Sequence, residues 1–254
     1  MPRLHCEVTG PEHAPVVVLA NSLGATLRMW DPQIEALTQS YRVVRFDTRG
    51  HGGSPVPPGP YTIDGLADDV VELLDRLALE QVHYVGLSLG GMIGMRLAAQ
   101  HPDRVDRLAV LCTSALLGPA SMWHERAAKV RRSGTASVAG TVVARWYTDP
   151  FQERHPEVVA AAREMIGSTP SEGYSGCCEA IAAMDLTADL ARITAPTLAI
   201  AGAGDLATPP DHLARIASTI PAAALLVVPE AAHLANAEQP DLVTAAILRH
   251  LQGT

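Results

Sequence analysis

The sequence predicts an α/β protein: a mostly parallel central sheet, helices on both of its faces, and a block of helices inserted part-way along the chain. Three observations carry this. Short continuous apolar runs recur, as expected of strands buried on both faces. Segments with apolar residues at helical spacing lie between them, and strands alternating with such helices form parallel sheets. From 118 to 186 the rhythm stops and only helical patterns remain.

The first apolar run is APVVVLA at 14–20, followed by YRVVRFD at 41–47, QVHYVGL at 81–87 and VDRLAVLCTS at 105–114. Between the second and third, TIDGLADDVVELLDRLAL at 62–79 places Leu and Val at helical spacing, with acids near its start where the helix dipole favours them. A second helix, LGGMIGMRLAAQH, follows directly on the third run. In the insertion, MWHERAAKVRR, SVAGTVVARWYT and PEVVAAAREMIG read as short amphipathic helices with no strand between them. APTLAIAGAGD at 195–205 and AALLVVPEAAH at 223–233 restore the strand rhythm, and EQPDLVTAAILRHLQ closes the chain as a helix. The expected organisation is a core built from 1–117 and 187–254, with 118–186 forming a helical lid over a site on the sheet. There is no internal repeat and no low-complexity segment.

Length and composition bound the function. A chain of 254 residues can bury one large core, or one core that carries an insertion. Hydrophobic residues at 48% and charged residues at 18% describe an ordinary globular protein, not a disordered one. No apolar run approaches the roughly 18 residues that would span a membrane. The start, MPRLHCEVTG, lacks the apolar segment of a signal peptide, so a cytoplasmic protein is expected. The four cysteines show neither a disulfide framework nor a zinc-ligand spacing and read as buried, reduced thiols. A net charge of −8 argues against a nucleic-acid partner, and it requires any anionic substrate to be held by local arginines.

One stretch points to chemistry. VHYVGLSLGGMIG puts Ser88 at the end of an apolar run, between Gly86 and Gly90 and ahead of a helix. Ligands of open α/β sheets bind at the carboxyl ends of the strands. The two glycines remove the β-carbons that would clash in a turn this tight, which is the setting of a nucleophile elbow. A serine hydroxyl needs a base, and the base needs an orienting acid. On this architecture they follow in the order Ser, acid, His, each after a later strand. Asp205 is the first acid beyond the run at 195–205, with Asp211 as the competing position, and the earlier loop CTSALLGPAS holds no carboxylate. His233 stands one short loop beyond the last run, whereas His51, His101 and His250 read as structural or solvated. An oxyanion needs two backbone donors. The N–H of Leu89, next to the serine, is one; in the loop LANSLGATLRMW the other is that of Leu23, with Ser22 its nearest competitor. That Gly-containing loop has no lysine or phosphate motif to suggest a nucleotide.

These residues resemble the α/β-hydrolase fold over essentially the whole chain, which implies a helical lid inserted after the sixth strand. The stretches NSLGATLRMWDPQ, FDTRGHGGSPVPPGPYTIDGLADDV, GLSLGGMIG, RWYTDPFQERHP and AGAGDLATPPDHL are together similar to the 3-oxoadipate enol-lactonases. That family hydrolyses a five-membered enol lactone to 3-oxoadipate, late in aromatic-acid breakdown, with a serine triad and neither metal nor cofactor. Carried over, the resemblance makes Ser88 the nucleophile, Asp205 the orienting acid and His233 the base, with Leu23 and Leu89 at the oxyanion hole. One departure is local: Gly204 and Leu206 flank the acid where an Asp and a Pro are expected, which puts the rigidity of that loop in question.

The implied partner is a small anionic lactone, whose carboxylate needs a cation near the pocket. Arg145 and Trp146 on the lid are the first choice, and Trp123 and Arg126 the next. Another esterase or lactonase, or a carbon–carbon bond hydrolase, would share the triad and differ only in the lid. A non-catalytic ligand-binding protein on the same fold would be expected to have lost a triad member.

Overall fold

The apolar runs become a seven-stranded sheet in the computed structural model, which describes residues 3–253. The strands are β1 (Cys6–Thr9), β2 (Val16–Ala20), β3 (Arg42–Phe46), β4 (Val82–Leu87), β5 (Val105–Leu111), β6 (Thr197–Gly202) and β7 (Ala223–Val228). Their order across the sheet is β1-β3-β2-β4-β5-β6-β7. Only β1 runs antiparallel, against β3; all other neighbours are parallel. Every residue of β4 and β6 is buried, which is why these runs read as continuously apolar. Met1, Pro2 and Thr254, at the ends of the expected core segments, lie outside the described residues.

Helices α1 (Asp31–Leu37), α2 (Ile63–Arg76), α3 (Leu89–Gln100), α9 (Pro210–Thr219), α10 (Ala235–Glu238) and α11 (Pro240–Gln252) belong to the strand–helix alternation. Thr62 caps α2 by accepting a hydrogen bond from the Gly65 N–H at 3.0 Å. The closing helix begins at Pro240, not at Glu238. Proline has no N–H to donate and fits the first turn, so Glu238 falls to the separate four-residue helix before it.

Between β5 and β6 come α4 (Ala120–Ser133), α5 (Ala136–Trp146), α6 (Asp149–Arg154), α7 (Pro156–Gly167) and α8 (Ser171–Ala183). The insertion therefore follows the fifth strand of this sheet, not the sixth. The count implied by the resemblance is one higher than the five strands found before the insertion, where a single strand, β1, precedes β2 and closes the edge by pairing with β3. Within the insertion α4 packs on α8 and α5 on α7. No helix among the described residues is long and apolar enough to cross a membrane.

The topology places the cleft. The chain leaves β2 towards β3 on one side and leaves β4 towards β5 on the other, so the loops after β2 and β4 diverge and open a crevice at the strands' carboxyl ends. The turn after β4 is crowded: a β-carbon on Gly86 would stand 2.3 Å from the Gly90 carbonyl oxygen, and one on Gly90 would stand 2.4 Å from that of Ala20. Gly90→Ala is accordingly expected to lower stability by about 1–3 kcal/mol, the ordinary cost of overpacking. A urea-unfolding midpoint equal to that of wild type would contradict this.

Candidate active site

Ser88 sits on the turn between β4 and α3 with φ +55° and ψ −114°, a conformation that side-chain-bearing residues rarely adopt. Its backbone is held from several sides. The Ser88 N–H donates to the Leu111 carbonyl at 2.9 Å, and the Ser88 carbonyl accepts from the Thr113 hydroxyl at 2.7 Å and the Met92 N–H at 3.0 Å. The side chain faces a cavity whose wall also includes His233, Leu23, Thr208 and residues of the helical insertion.

Asp205 follows β6 and His233 follows β7, and the fold brings them together: Asp205 Oδ2 lies 2.8 Å from His233 Nδ1. That bond leaves Nε2 as the nitrogen available on the cavity side, where Ser88 is. Asp205 is buried and fully engaged, since it also accepts from the N–H of Ala207 at 2.7 Å, the N–H of Thr208 at 3.0 Å and the hydroxyl of Thr208 at 2.7 Å. Burial works to raise its carboxyl pKa, but the charge and hydrogen bond of His233 and the donors of Thr208 outweigh it and hold the group below the ordinary aspartate value. Asp211 does not compete: it lies on the first turn of α9 and lines a separate cavity beside Arg215. Of the unexpected neighbours of the acid, Leu206 projects into solvent at 74% exposure, while the loop's Ala207 and Thr208 donate to Asp205.

The two candidate oxyanion donors stand among amides committed elsewhere. The Ser22 N–H points to Met29 Sδ at 3.2 Å, and the Gly24 N–H donates to His51 Nε2 at 3.0 Å. The Gly90 N–H donates to the Asn21 carbonyl at 2.9 Å, which ties the loop after β2 to the turn after β4. Leu23 and Leu89 lie between these anchored positions, so Ser22 is the weaker of the two candidates after β2. His51 is buried and, since burial lowers its pKa, it stays neutral and able to accept at Nε2.

Arg145, Trp146, Trp123 and Arg126 all line the cavity that holds Ser88 and His233. Trp146 and Trp123 are buried, the latter donating from Nε1 to the Leu117 carbonyl at 2.9 Å. The Arg126 guanidinium stacks 4.6 Å from the centre of the Trp123 ring, whereas Arg145 is solvent-exposed. Among the described residues neither arginine pairs with a carboxylate.

Two residues were not foreseen. Tyr174 on α8 lines the cavity with a buried hydroxyl on which the Arg126 guanidinium acts by both its charge and a hydrogen bond. It comes from a Gly- and Cys-rich stretch with no motif to mark it. Thr208 had a signal: an Asp followed at the third position by Thr is a local turn in which the carboxylate collects the following donors. Among the described residues no group of His, Cys, Asp and Glu converges to hold a metal ion.

A family model described as the alpha/beta hydrolase fold matches residues 15–240. The chain is 40% identical to 3-oxoadipate enol-lactonase 2 of Acinetobacter baylyi over 94% of its own length and 89% of the relative's. It superposes on the crystal structure of the enol-lactonase from Burkholderia xenovorans LB400 with a TM-score of 0.97 and 42% identity, covering 99% of this chain and 97% of the other. A protein of Agrobacterium fabrum provisionally named carbamate hydrolase RutD is 32% identical over 98% of both chains.

The depressed pKa of Asp205 makes a pH prediction. Its ionised form stabilises the fold fully above the unfolded-state value of about 3.9, and the contribution is lost as pH falls through the lower folded-state value. The stability gap between wild type and Asp205→Asn in urea unfolding should therefore shrink on going from neutral pH to about pH 3. A gap constant over that range would show that the folded state does not favour the carboxylate.

Proposed function

Because the chain belongs to the alpha/beta-hydrolase family, we propose that its hydrolase activity is the opening of 3-oxoadipate enol-lactone to 3-oxoadipate by a Ser88–His233–Asp205 triad. The observation that carries this is the joint lining of one cavity: a serine on a strained turn, an imidazole paired at 2.8 Å with a buried aspartate, and two arginines without a carboxylate partner among the described residues. A neutral ester would have no use for those cations; an anionic lactone needs one.

The chemistry follows from the groups. Ser88 Oγ attacks the lactone carbonyl as His233 Nε2 takes its proton, and the N–H groups of Leu23 and Leu89 hold the oxyanion. Each such donor is worth about 10²–10³ in rate. Asp205 fixes the imidazole in the tautomer that leaves Nε2 free to accept, and stabilises the imidazolium. The ring C–O bond breaks, the departing enolate takes the proton back and collapses to a ketone, and an acyl-enzyme remains. Water, deprotonated by His233, then releases the acid and restores the serine. No step calls on a metal or cofactor. Such a reaction belongs late in aromatic-acid breakdown.

For the substrate carboxylate, Arg145 and Trp146 supply a cation beside an aromatic wall. Arg126 has the stronger claim: it is the more sheltered, is oriented by stacking on Trp123, and neighbours the Tyr174 hydroxyl, a second donor for the same carboxylate.

The test is loss of ultraviolet absorbance of freshly generated enol lactone beside a neutral nitrophenyl ester and a carbamate. Wild type should consume the lactone fastest, and Ser88→Ala should consume none. Ester or carbamate turnover without lactone turnover would keep the triad and reject the substrate. Arg126→Ala should raise KM for the lactone by about tenfold to a hundredfold, the loss of one hydrogen bond to a charged group, and leave the neutral ester little changed. Arg145→Ala should act in the same direction and more weakly; equal loss on both substrates would reject the carboxylate role.

A further inference from the structure

Directly after His233 the chain forms α10, and its last residue reaches into two distant parts of the site. Glu238 is 8% exposed, and its carboxylate accepts from three donors. Oε1 accepts the Ala232 N–H at 2.6 Å, on the residue before His233. Oε2 accepts both the N–H of Thr148 at 3.0 Å and its hydroxyl at 2.7 Å, two residues beyond Trp146 in the insertion. A parallel bond joins the other neighbour of the histidine: the Leu234 N–H donates to the Trp146 carbonyl at 2.9 Å. Both residues flanking His233 are thus tied to one short segment of the insertion, the segment that carries Arg145 and Trp146.

We propose that Glu238 is a positioning residue: its carboxylate couples the His233 loop to the Arg145–Trp146 wall, so that substrate seated against the wall sets the imidazole on Ser88. The inference rests on the triad reading above. Chemistry favours it over a role as a mere fastener. A buried carboxylate is costly to place unless its oxygens are hydrogen-bonded, and here both are. Only an acid offers acceptors on both ends; glutamine has one accepting oxygen and would turn its NH₂ towards either the Ala232 or the Thr148 N–H. The same segment also touches the acid loop, because Thr148 Cγ2 lies 3.6 Å from where a side chain on Gly204 would begin. Base, acid and wall therefore share one junction.

The consequence is that disturbing Glu238 should appear in turnover per folded site, and not only in stability. Displacing a catalytic group by about 1 Å costs up to roughly a hundredfold. The experiment compares Glu238→Gln, Glu238→Ala, Thr148→Val and the Thr148→Val/Glu238→Gln pair with wild type and Ser88→Ala, on nitrophenyl acetate and on the enol lactone. Fluorophosphonate titration counts the folded sites, and thermal unfolding is followed in parallel. Glu238→Ala should lower kcat for both substrates by about tenfold or more. Glu238→Gln should recover part of it, since its oxygen can still take the Ala232 N–H. Thr148→Val should lower kcat severalfold and add nothing to Glu238→Gln in the pair, because both cut the same link.

An unchanged kcat per titrated site in Glu238→Ala, with a lower Tm, would make the residue a fastener and overturn the proposal. Single losses that multiply in the pair would do the same. If Glu238→Ala does not fold, Glu238→Gln and Thr148→Val carry the comparison. Nitrophenyl acetate turnover surviving Ser88→Ala would instead overturn the triad reading, and the coupling with it; failure on the lactone alone would touch only the substrate assignment.

Discussion

Everything at this site depends on one close approach of backbone to backbone. Strand β4 and helix α3 meet with no side chains between them at Gly86 and Gly90, and Gly90 lies against the carbonyl of Ala20 at the end of β2. That contact lets the chain reverse within a few residues and places Ser88 in a left-handed conformation at the crest of the turn. It also brings the two loops of the crevice together, through the bond from the Gly90 N–H to the Asn21 carbonyl. Local strain of this kind, of order 1–3 kcal/mol, persists only where the surroundings over-determine it. Here they do, with hydrogen bonds to both the N–H and the carbonyl of the strained residue.

The residues at 47–54, DTRGHGGS, do for the loop after β2 what the glycines do for the turn after β4. Asp47 accepts the Leu27 N–H at 2.8 Å through one oxygen and the Gly53 N–H at 2.9 Å through the other. Ser54 returns a hydroxyl bond to the Asp47 carbonyl at 2.6 Å, and His51 takes the Gly24 N–H. Arg49 leaves in the other direction, to the buried Asp69 on α2. A short polar motif thus acts as a frame for the backbone beside Leu23 and contributes no atom to the cavity wall. This explains how so polar a stretch can be so deeply buried: Asp47, Arg49, His51 and Ser54 are each satisfied by backbone or by an opposite charge, and only the Thr48 hydroxyl is buried without a partner.

The insertion is bound to the body by links of the same character. Glu238 takes donors from the histidine loop and from the segment after α5; within the body, Asn236 donates to the Met29 carbonyl at 2.9 Å, and Gln33 donates to the Asn236 carbonyl at 2.9 Å. The helix after the histidine therefore touches the insertion on one side and the loop after β2 on the other. Apolar packing supplies the area of this contact, while the directional bonds of the buried polar groups fix its geometry.

The sequence by itself determined the strand–helix order, the elbow at Ser88, and the places of Asp205 and His233. These are local properties: apolar runs, turn chemistry and position after a strand act over a few residues. It did not show α8, whose Gly173, Gly176, Cys177 and Cys178 have weak helical preference and no amphipathic stripe. That helix is buried along most of its length, with Gly173 against Gly50 and Gly176 against the Tyr61 ring, so packing and not propensity makes it. Tyr174 came to the cavity with it unseen. The count of strands before the insertion also differed, because pairing at a sheet edge is settled by which neighbour is free. Only the tertiary structure decided what crosses long distances in the chain: Thr148 and Glu238 meet across 90 residues, and Arg126 of α4 comes beside Tyr174 of α8. Periodicity carries no information about such contacts, since a side chain's partner is chosen by the three-dimensional packing of elements whose spacing in sequence is arbitrary.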